Sequence, residues 1–358
     1  MKKIIYILCG ISILLSGSVL RISCGDSGST GDRSSTGNVA LYVTDDITAD
    51  YKHVEVTING VQLLHTGTDT VCEFYNPEDL DITDLSSTIQ FLDVNNCRTG
   101  NYNRIHIEFS QDVMLTNQLD EDVPCRFTSH KDQHDNPNIL QCIEKENETN
   151  CFMDMNGNVK VVQNKTEDVV LDFDLKKFEV VNDDISGCSV TIKVSPLNKS
   201  DVDKKHENGY KKAISGYVTA VGSEKKEFTL TTGSGDLIVS YADVEKEDIE
   251  NLLNLAKSDN LEVIVKSMSI DFNQGPVIAS GIYLKMEGTV SKLDIIKSIF
   301  SLLYQPNKTI IVDYKNAEVE GNLEKDAFVK VKLNDYNGEH YIAEEVEVEE
   351  AEEAGDDV

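Results

Sequence analysis

The sequence predicts an all-β protein. It reads as an N-terminal β-sandwich of the transthyretin/immunoglobulin-like class with a disulfide-braced insertion, followed by two small β-barrel repeats. Three observations carry this. Short apolar stretches alternate with polar residues at a period of two, with turn formers between them. Six cysteines gather between Cys72 and Cys188. The chain after residue 212 repeats itself.

In NVALYVTDD, Val39, Leu41 and Val43 alternate with Ala40, Tyr42 and Thr44, the period of a half-buried strand. After the polar turn DDITAD, Val54, Val56 and Ile58 repeat the alternation. The two stretches read as a founding strand pair, with Asn59-Gly60 as a tight turn or bulge. Leu80, Ile82 and Leu85 sit among acids, as in a short strand or turn, and Tyr102, Ile105, Ile107 and Phe109 mark a strong strand after a Gly turn. Residues 159–181 look like a hairpin, with Val169, Leu171 and Phe173 alternating with Val170, Asp172 and Asp174. Val190, Ile192 and Val194 close the domain. Residues 111–158 are more polar and carry Cys125, Cys142 and Cys151, so they read as the braced insertion.

The N-terminus reads as a targeting segment. Lys2 and Lys3 precede the apolar run Ile4–Leu15, which is too short to span a bilayer comfortably. The small residues Ser16, Gly17 and Ser18 follow, and then Cys24. This resembles a bacterial lipoprotein signal over residues 1–23, in which Cys24 is lipidated and pins the chain to a membrane. Ordinary secretion with Cys24 left over is the alternative. Residues 24–37, rich in Gly, Ser, Thr and Asp, read as a flexible tether. The expected location is the bacterial cell envelope, at the outer membrane or the periplasmic face.

Cysteine usage agrees with export. Cys9 leaves with the leader and Cys24 carries lipid. That leaves Cys72, Cys97, Cys125, Cys142, Cys151 and Cys188, an even set with no CxxC spacing, which points to disulfides rather than zinc. Six cysteines allow fifteen pairings. The hairpin-like IEKENETN favours Cys142–Cys151, and Cys72–Cys97 with Cys125–Cys188 is the partition that follows.

The formal charge is −30, and losing a leader whose charges are Lys2, Lys3 and Arg21 leaves −33. Nucleic acid and anionic membrane surfaces are therefore poor electrostatic partners. Solubility or divalent cations suit such a surface. The absence of Trp lowers the expectation of a sugar-stacking platform.

The collinear stretches TDD, VEVTINGVQLLHTG, DLSSTIQFLD, TGNYNRIHIEF, DVVLDFDLKKF and TIKVSPL resemble the bacterial lipoprotein family called domain of unknown function 4382, over about residues 38–198. The resemblance implies an exported β-sandwich and no established activity. Residues 199–212 read as a charged linker with solvated lysines.

Beyond it, ISGYVTAV at 214–221 matches MEGTVSKL at 286–293. Phe228 and Leu230 match Phe300 and Leu302, and Ile238 and Val239 match Ile310 and Ile311. LEVIV at 261–265 matches AFVKV at 327–331, and VIASGIYL at 277–284 matches YIAEEVEV at 341–348. Two five-stranded barrels follow, at 213–286 and 287–349, and their pattern is similar to the family called domain of unknown function 5666. The first copy adds a helix-like segment with Ile249, Leu252, Leu253 and Leu255. Thirteen lysines against 24 acids in 213–349 give −11, which excludes an oligonucleotide-binding use of these barrels. The acidic stretch 350–358 reads as a solvated tail.

No GxSxG motif or phosphate loop is present. Asp45, Asp46 and Asp50 crowd one turn, and Asp79, Asp81 and Asp84 another. Such groups gather around calcium or simply cap turns, and Asp45, Asp46 and Asp50 are the candidate calcium ligands. His130 and His134, four apart among acids, could hold zinc or copper on a helix, but their polar surroundings read as loop. The reading is a non-catalytic, lipid-anchored envelope protein that binds or scaffolds, with an envelope protein or glycan as ligand. The alternatives are a calcium-dependent adhesin-like module or an uncharacterised carbohydrate-active hydrolase.

Overall fold

Strand β1 (Thr36–Asp45) is buried on both faces. Val39, Leu41 and Val43 enter one apolar core, and Ala40 and Tyr42 enter a second. The half-buried reading of this strand is corrected by that arrangement. The computed structural model describes residues 35–45, 51–65, 71–74, 78–117, 121–129, 140–145, 148–174, 179–183, 187–246, 248–267, 270 and 275–349. They all fall in one compact unit. The leader 1–23, Cys24, Asp46, Asp50, His130, His134 and the tail 350–358 lie outside the described residues.

The strands that follow are β2 (His53–Leu64), β3 (Val71–Phe74), β4 (Glu78–Asp81), β5 (Thr88–Arg98), β6 (Gly100–Thr116) and β7 (Asp122–Phe127). Next come β8 (Leu140–Lys145), β9 (Glu148–Val161), β10 (Thr166–Phe173), β11 (Glu179–Asp183), β12 (Gly187–Thr191) and β13 (Val194–Leu197). The first sheet of the sandwich runs β13-β10-β1-β5. The second runs β11-β12-β7-β6-β2-β3, with β4 on β2, β9 on β6 and β8 on β9.

β1 and β2 are therefore not a hydrogen-bonded pair. β1 pairs with β5 and β10, and β2 with β3, β4 and β6. Each has an apolar row that needs the same core, so the rows contribute from opposite sheets. Asn59-Gly60 lies within β2 at a register shift, a bulge rather than a turn. Residues 159–181 likewise split, β9 lying in the second sheet and β10 in the first. The described part of 111–158 is built into the second sheet, where Cys151, Met153 and Met155 are core residues.

Three disulfides brace the sandwich. Cys72–Cys97 ties β3 to β5 and so staples one sheet to the other. Cys125–Cys188 joins directly opposed residues of β7 and β12, and Cys142–Cys151 joins β8 to β9.

Residues 199–212 are an ordered connector that is exposed at Lys199 and Lys204 and buried at Lys212. Helix α1 (Lys199–Glu207) is capped by Asn198, whose side-chain oxygen accepts from the Ser200 and Asp201 amides. Then β14 (Lys211–Gly222) joins β5 in parallel, with Lys211 opposite Thr88 and Ala213 opposite Gln90. The first sheet thus continues into the C-terminal region without a break.

That region holds β15 (Glu227–Thr232), β16 (Gly235–Ser240), α2 (Ile249–Asp259), β17 (Glu262–Ser267), β18 (Val277–Ile278) and β19 (Gly281–Asp294). It ends with β20 (Ile299–Gln305), β21 (Lys308–Asp313), β22 (Glu318–Glu320), β23 (Phe328–Tyr336) and β24 (Tyr341–Glu349). The ladder occurs twice. β14-β15-β16 closes through β18, β19 and β17, and β19-β20-β21 closes through β24 and β23. β19 serves both rings, so the 286/287 boundary falls inside a strand.

Gly216 and Gly288 hold equivalent close approaches. A Cβ there would sit 2.5 Å from the Thr231 carbonyl oxygen and 2.4 Å from that of Leu303. The sequence pairing slips by one residue at the third strand. Phe228 opposes Val239 and Phe300 opposes Val312, so Val239 corresponds to Val312 and the exposed Ile238 to the exposed Ile311. The extra residue that causes this is a bulge in β20 between Leu303 and Gln305, and a one-residue slip exchanges inside for outside.

Candidate functional site

The chemistry-bearing side chains collect where the sandwich meets the barrels. Tyr42 points out of β1 into the shared core and is fully buried, edge-on to Phe91 at 5.7 Å. Lys212 of β14 lies over its ring at 4.5 Å and pairs with Asp168 of β10 at 2.5 Å. Burial, and then the Asp168 charge, push the Tyr42 phenol well above its ordinary pKa. Its hydroxyl has no hydrogen-bond partner among the described residues.

One turn along the connector, Lys205 of α1 pairs with Asp172 at 3.1 Å and lies over the Tyr210 ring at 4.7 Å. Lys205 and Tyr210 both donate to the Asp45 carbonyl oxygen, at 3.4 and 3.3 Å. Asp168 and Asp172 sit four apart on β10 and so share the face that carries Val170. Buried Lys212 and half-buried Lys205 thus meet two acids of one strand, which corrects the expectation of solvated lysines at these two positions, while Lys199 and Lys204 are exposed as expected.

A second bridge crosses to the far barrel. His53 of β2 binds Asp81 through Nδ1 at 2.5 Å and Glu347 of β24 through Nε2 at 2.8 Å. With both ring nitrogens against carboxylates, the imidazole is held protonated. The hydrogen bonds to Asp81 and Glu347 outweigh burial and raise its pKa from 6.5 to about 10. Burial pushes the Asp81 carboxyl up, but the hydrogen bonds from His53 and Thr83 overcome it, so the net is a lowered pKa. The hydrogen bond from His53 lowers Glu347 as well. A histidine with both nitrogens committed has none left to take a proton from a substrate. Nearby, Lys285 of β19 pairs with Asp84 at 3.2 Å, and Ser234 donates to Asp93. The arrangement is suited to holding modules together.

On the outer face of the barrel sheet, Lys266 and Lys332 lie 4.9 and 5.3 Å from the Tyr283 ring centre. Burial, and then the Lys332 charge, lower the Lys266 pKa. Lys332 also pairs with Glu345 at 3.2 Å.

The described acids singled out in the sequence have separate roles. Asp45 is wholly buried at the end of β1, opposite Phe173, while Asp46 and Asp50 lie outside the described residues. Among the described residues no group of three His, Cys, Asp or Glu is placed to hold a metal ion. Asp79 accepts from Thr57 at 2.6 Å, and Asp81 and Asp84 serve the junction. Asp154 pairs with Arg104 and His106, each at 3.1 Å.

His53, Lys205, Lys212, Lys285 and Glu347 were not visible as a set in the sequence. The one available signal was the unbroken apolar run VALYV, which is how a strand covered on both faces reads. No helix among the described residues is long and apolar enough to cross a membrane. Neither a curated protein nor a solved structure matches the chain. Residues 36–196, the sandwich up to β13, match the family model described as Domain of unknown function (DUF4382), and it is through this module that the chain is similar to a known family.

Proposed function

We propose that this protein is a non-catalytic, lipid-anchored module of the bacterial cell envelope, a stiff spacer that presents a binding or scaffolding surface. The supporting observation is continuity. The first sheet passes from the sandwich into both barrels, and Ala40, Tyr42, Ile89, Phe91 and Val170 share one core with barrel residues. A sheet and core shared between modules hold them at a fixed spacing, which suits a spacer or presenter. The leader and Cys24 supply the anchor, and the barrels, in this reading, are of the kind similar to domain of unknown function 5666. Ligands of the envelope-protein or glycan class fit the acidic surface better than nucleic acid does. The test is fractionation with metabolic fatty-acid labelling. The parent chain should carry label and sediment with membranes, and Cys24→Ser should be unlabelled and soluble. A Cys24→Ser chain that stays membrane-bound overturns the anchored reading, and robust turnover in a glycosidase, esterase and peptidase screen overturns the non-catalytic one.

A further inference from the structure

The two barrels contain the same β-hairpin turn with different side chains. In the first, residues 223–226 are Ser-Glu-Lys-Lys; in the second, residues 295–298 are Ile-Ile-Lys-Ser. The backbones agree in detail. Lys226 and Ser298 both adopt a left-handed conformation, with φ of 52° and 55°. The Lys226 amide donates to Ser223 and the Ser298 amide to Ile295, both at 3.3 Å. The carbonyls of Lys226 and Ser298 accept from the amides of Tyr241 and Tyr314, at 2.9 and 3.0 Å.

The turn therefore closes with polar residues, and folding does not require the isoleucines. Yet Ile295 is 73% exposed and Ile296 97% exposed, the most exposed large apolar side chains among the described residues. Leaving two such side chains in water is unfavourable unless something covers them.

The charge around this tip also differs. Residues 292–299 and 313–316 carry Lys292, Lys297 and Lys315 with Asp294 and Asp313, a balance of +1 in a chain of −30, and Lys297 pairs with Asp294 at 3.9 Å. The matching positions of the first barrel hold Lys225 and Lys226 against Glu224, Glu227 and Asp243, a balance of −1. An apolar tip flanked by lysines in slight excess over acids suits the acyl-headgroup boundary of a bilayer, where the stems bury and the ammonium groups meet phosphates. The eleven peptide steps from Cys24 to Ser35 reach at most about 40 Å, so lipid on Cys24 would keep the chain near a bilayer. At that effective concentration a weak contact suffices.

We propose that the Ile295-Ile296 hairpin tip dips into the lipid surface and sets the orientation of the anchored molecule, an inference that rests on the anchored reading above. The chain has no Trp, so a single Trp is a clean probe. Ile296→Trp and, as control, Glu224→Trp are made in the full mature chain. Each is coupled through Cys24 to a maleimide lipid in phosphatidylethanolamine/phosphatidylglycerol vesicles. The expected result is blue-shifted emission, quenched by brominated lipid, for Ile296→Trp and water-like emission for Glu224→Trp. Water-like emission from both overturns the proposal. So does a blue shift that needs no vesicles and tracks dimer formation in sedimentation, since a second copy would then cover the tip. Because maleimide supplies the tether, a failure of natural acylation in cells leaves this measurement intact and is seen separately in the fatty-acid labelling.

Discussion

The two sheets of the sandwich are built from similar sequences and live in different surroundings. Along β2 buried and accessible residues alternate, because one face meets the core and the other meets water. Along β1 burial is continuous from Val39 to Asp45. The difference is the barrel pair, which covers the outer face of the first sheet through Tyr42, Phe91 and Val170. A module packed on a sheet converts its outer face from surface to core, and ion pairs at that junction lose part of their water. Lys212–Asp168 is the example; its side-chain exposures are 6% and 38%. On the second sheet Arg104–Asp154 stays wet at 49% and 31%.

The contrast can be broken at graded cost. Tyr42→Ala should be the most damaging change, at about 3–5 kcal/mol, because it empties the core that both modules share. Chemical denaturation followed by probes in the sandwich and in the barrels should show both transitions moving together. A barrel transition that keeps its midpoint would mean the modules are not welded. Removing the sheet-to-sheet staple with Cys72→Ala and Cys97→Ala should cost roughly 2–4 kcal/mol, read the same way. Lys212→Ala should cost about 2 kcal/mol, below the full cost of an orphaned interior charge because water reaches Asp168. Arg104→Gln, its counterpart on the wet sheet, should shift stability by no more than about 0.5 kcal/mol. Equal losses for these two would contradict the covered-face account.

The His53 bridge sharpens the comparison through pH. Its folded pKa, about 10, lies above the ordinary 6.5, so its contribution is complete below 6.5 and drains as pH rises to 10. Asp81 and Glu347 are shifted down, so their contribution is present above the ordinary carboxylate range and is lost as pH falls through their folded values. Melting temperature should therefore decline on the alkaline side between pH 7 and 10, and His53→Gln should flatten that limb. Parallel slopes for parent and variant would remove the bridge as a stabilising contact.

Much of the fold was legible. Period-two alternation marked β2, β6 and β10, cysteine parity pointed to three bridges, and the recurrence of Gly216 at Gly288 exposed the duplication. The site was less so. Lys205 and Lys212 sit in KSDVDKKHENGYKK, where every local cue reads as solvent, and their acids lie 33 and 44 residues earlier. Glu347 is 294 residues from His53.

What the sequence by itself determined is which residues want to leave water, since alternation and turn chemistry are local. What only the tertiary structure decided is which surface each buried row meets: β1 against β5 and β10 rather than β2, β21 shifted by one residue, and Lys212 of the connector under cover. The physical reason is that backbone hydrogen bonds can be made with any neighbouring strand. Pairing, register and the burial of charge are therefore chosen by the competition of whole faces for a shared core, and that competition is resolved only when the chain is folded.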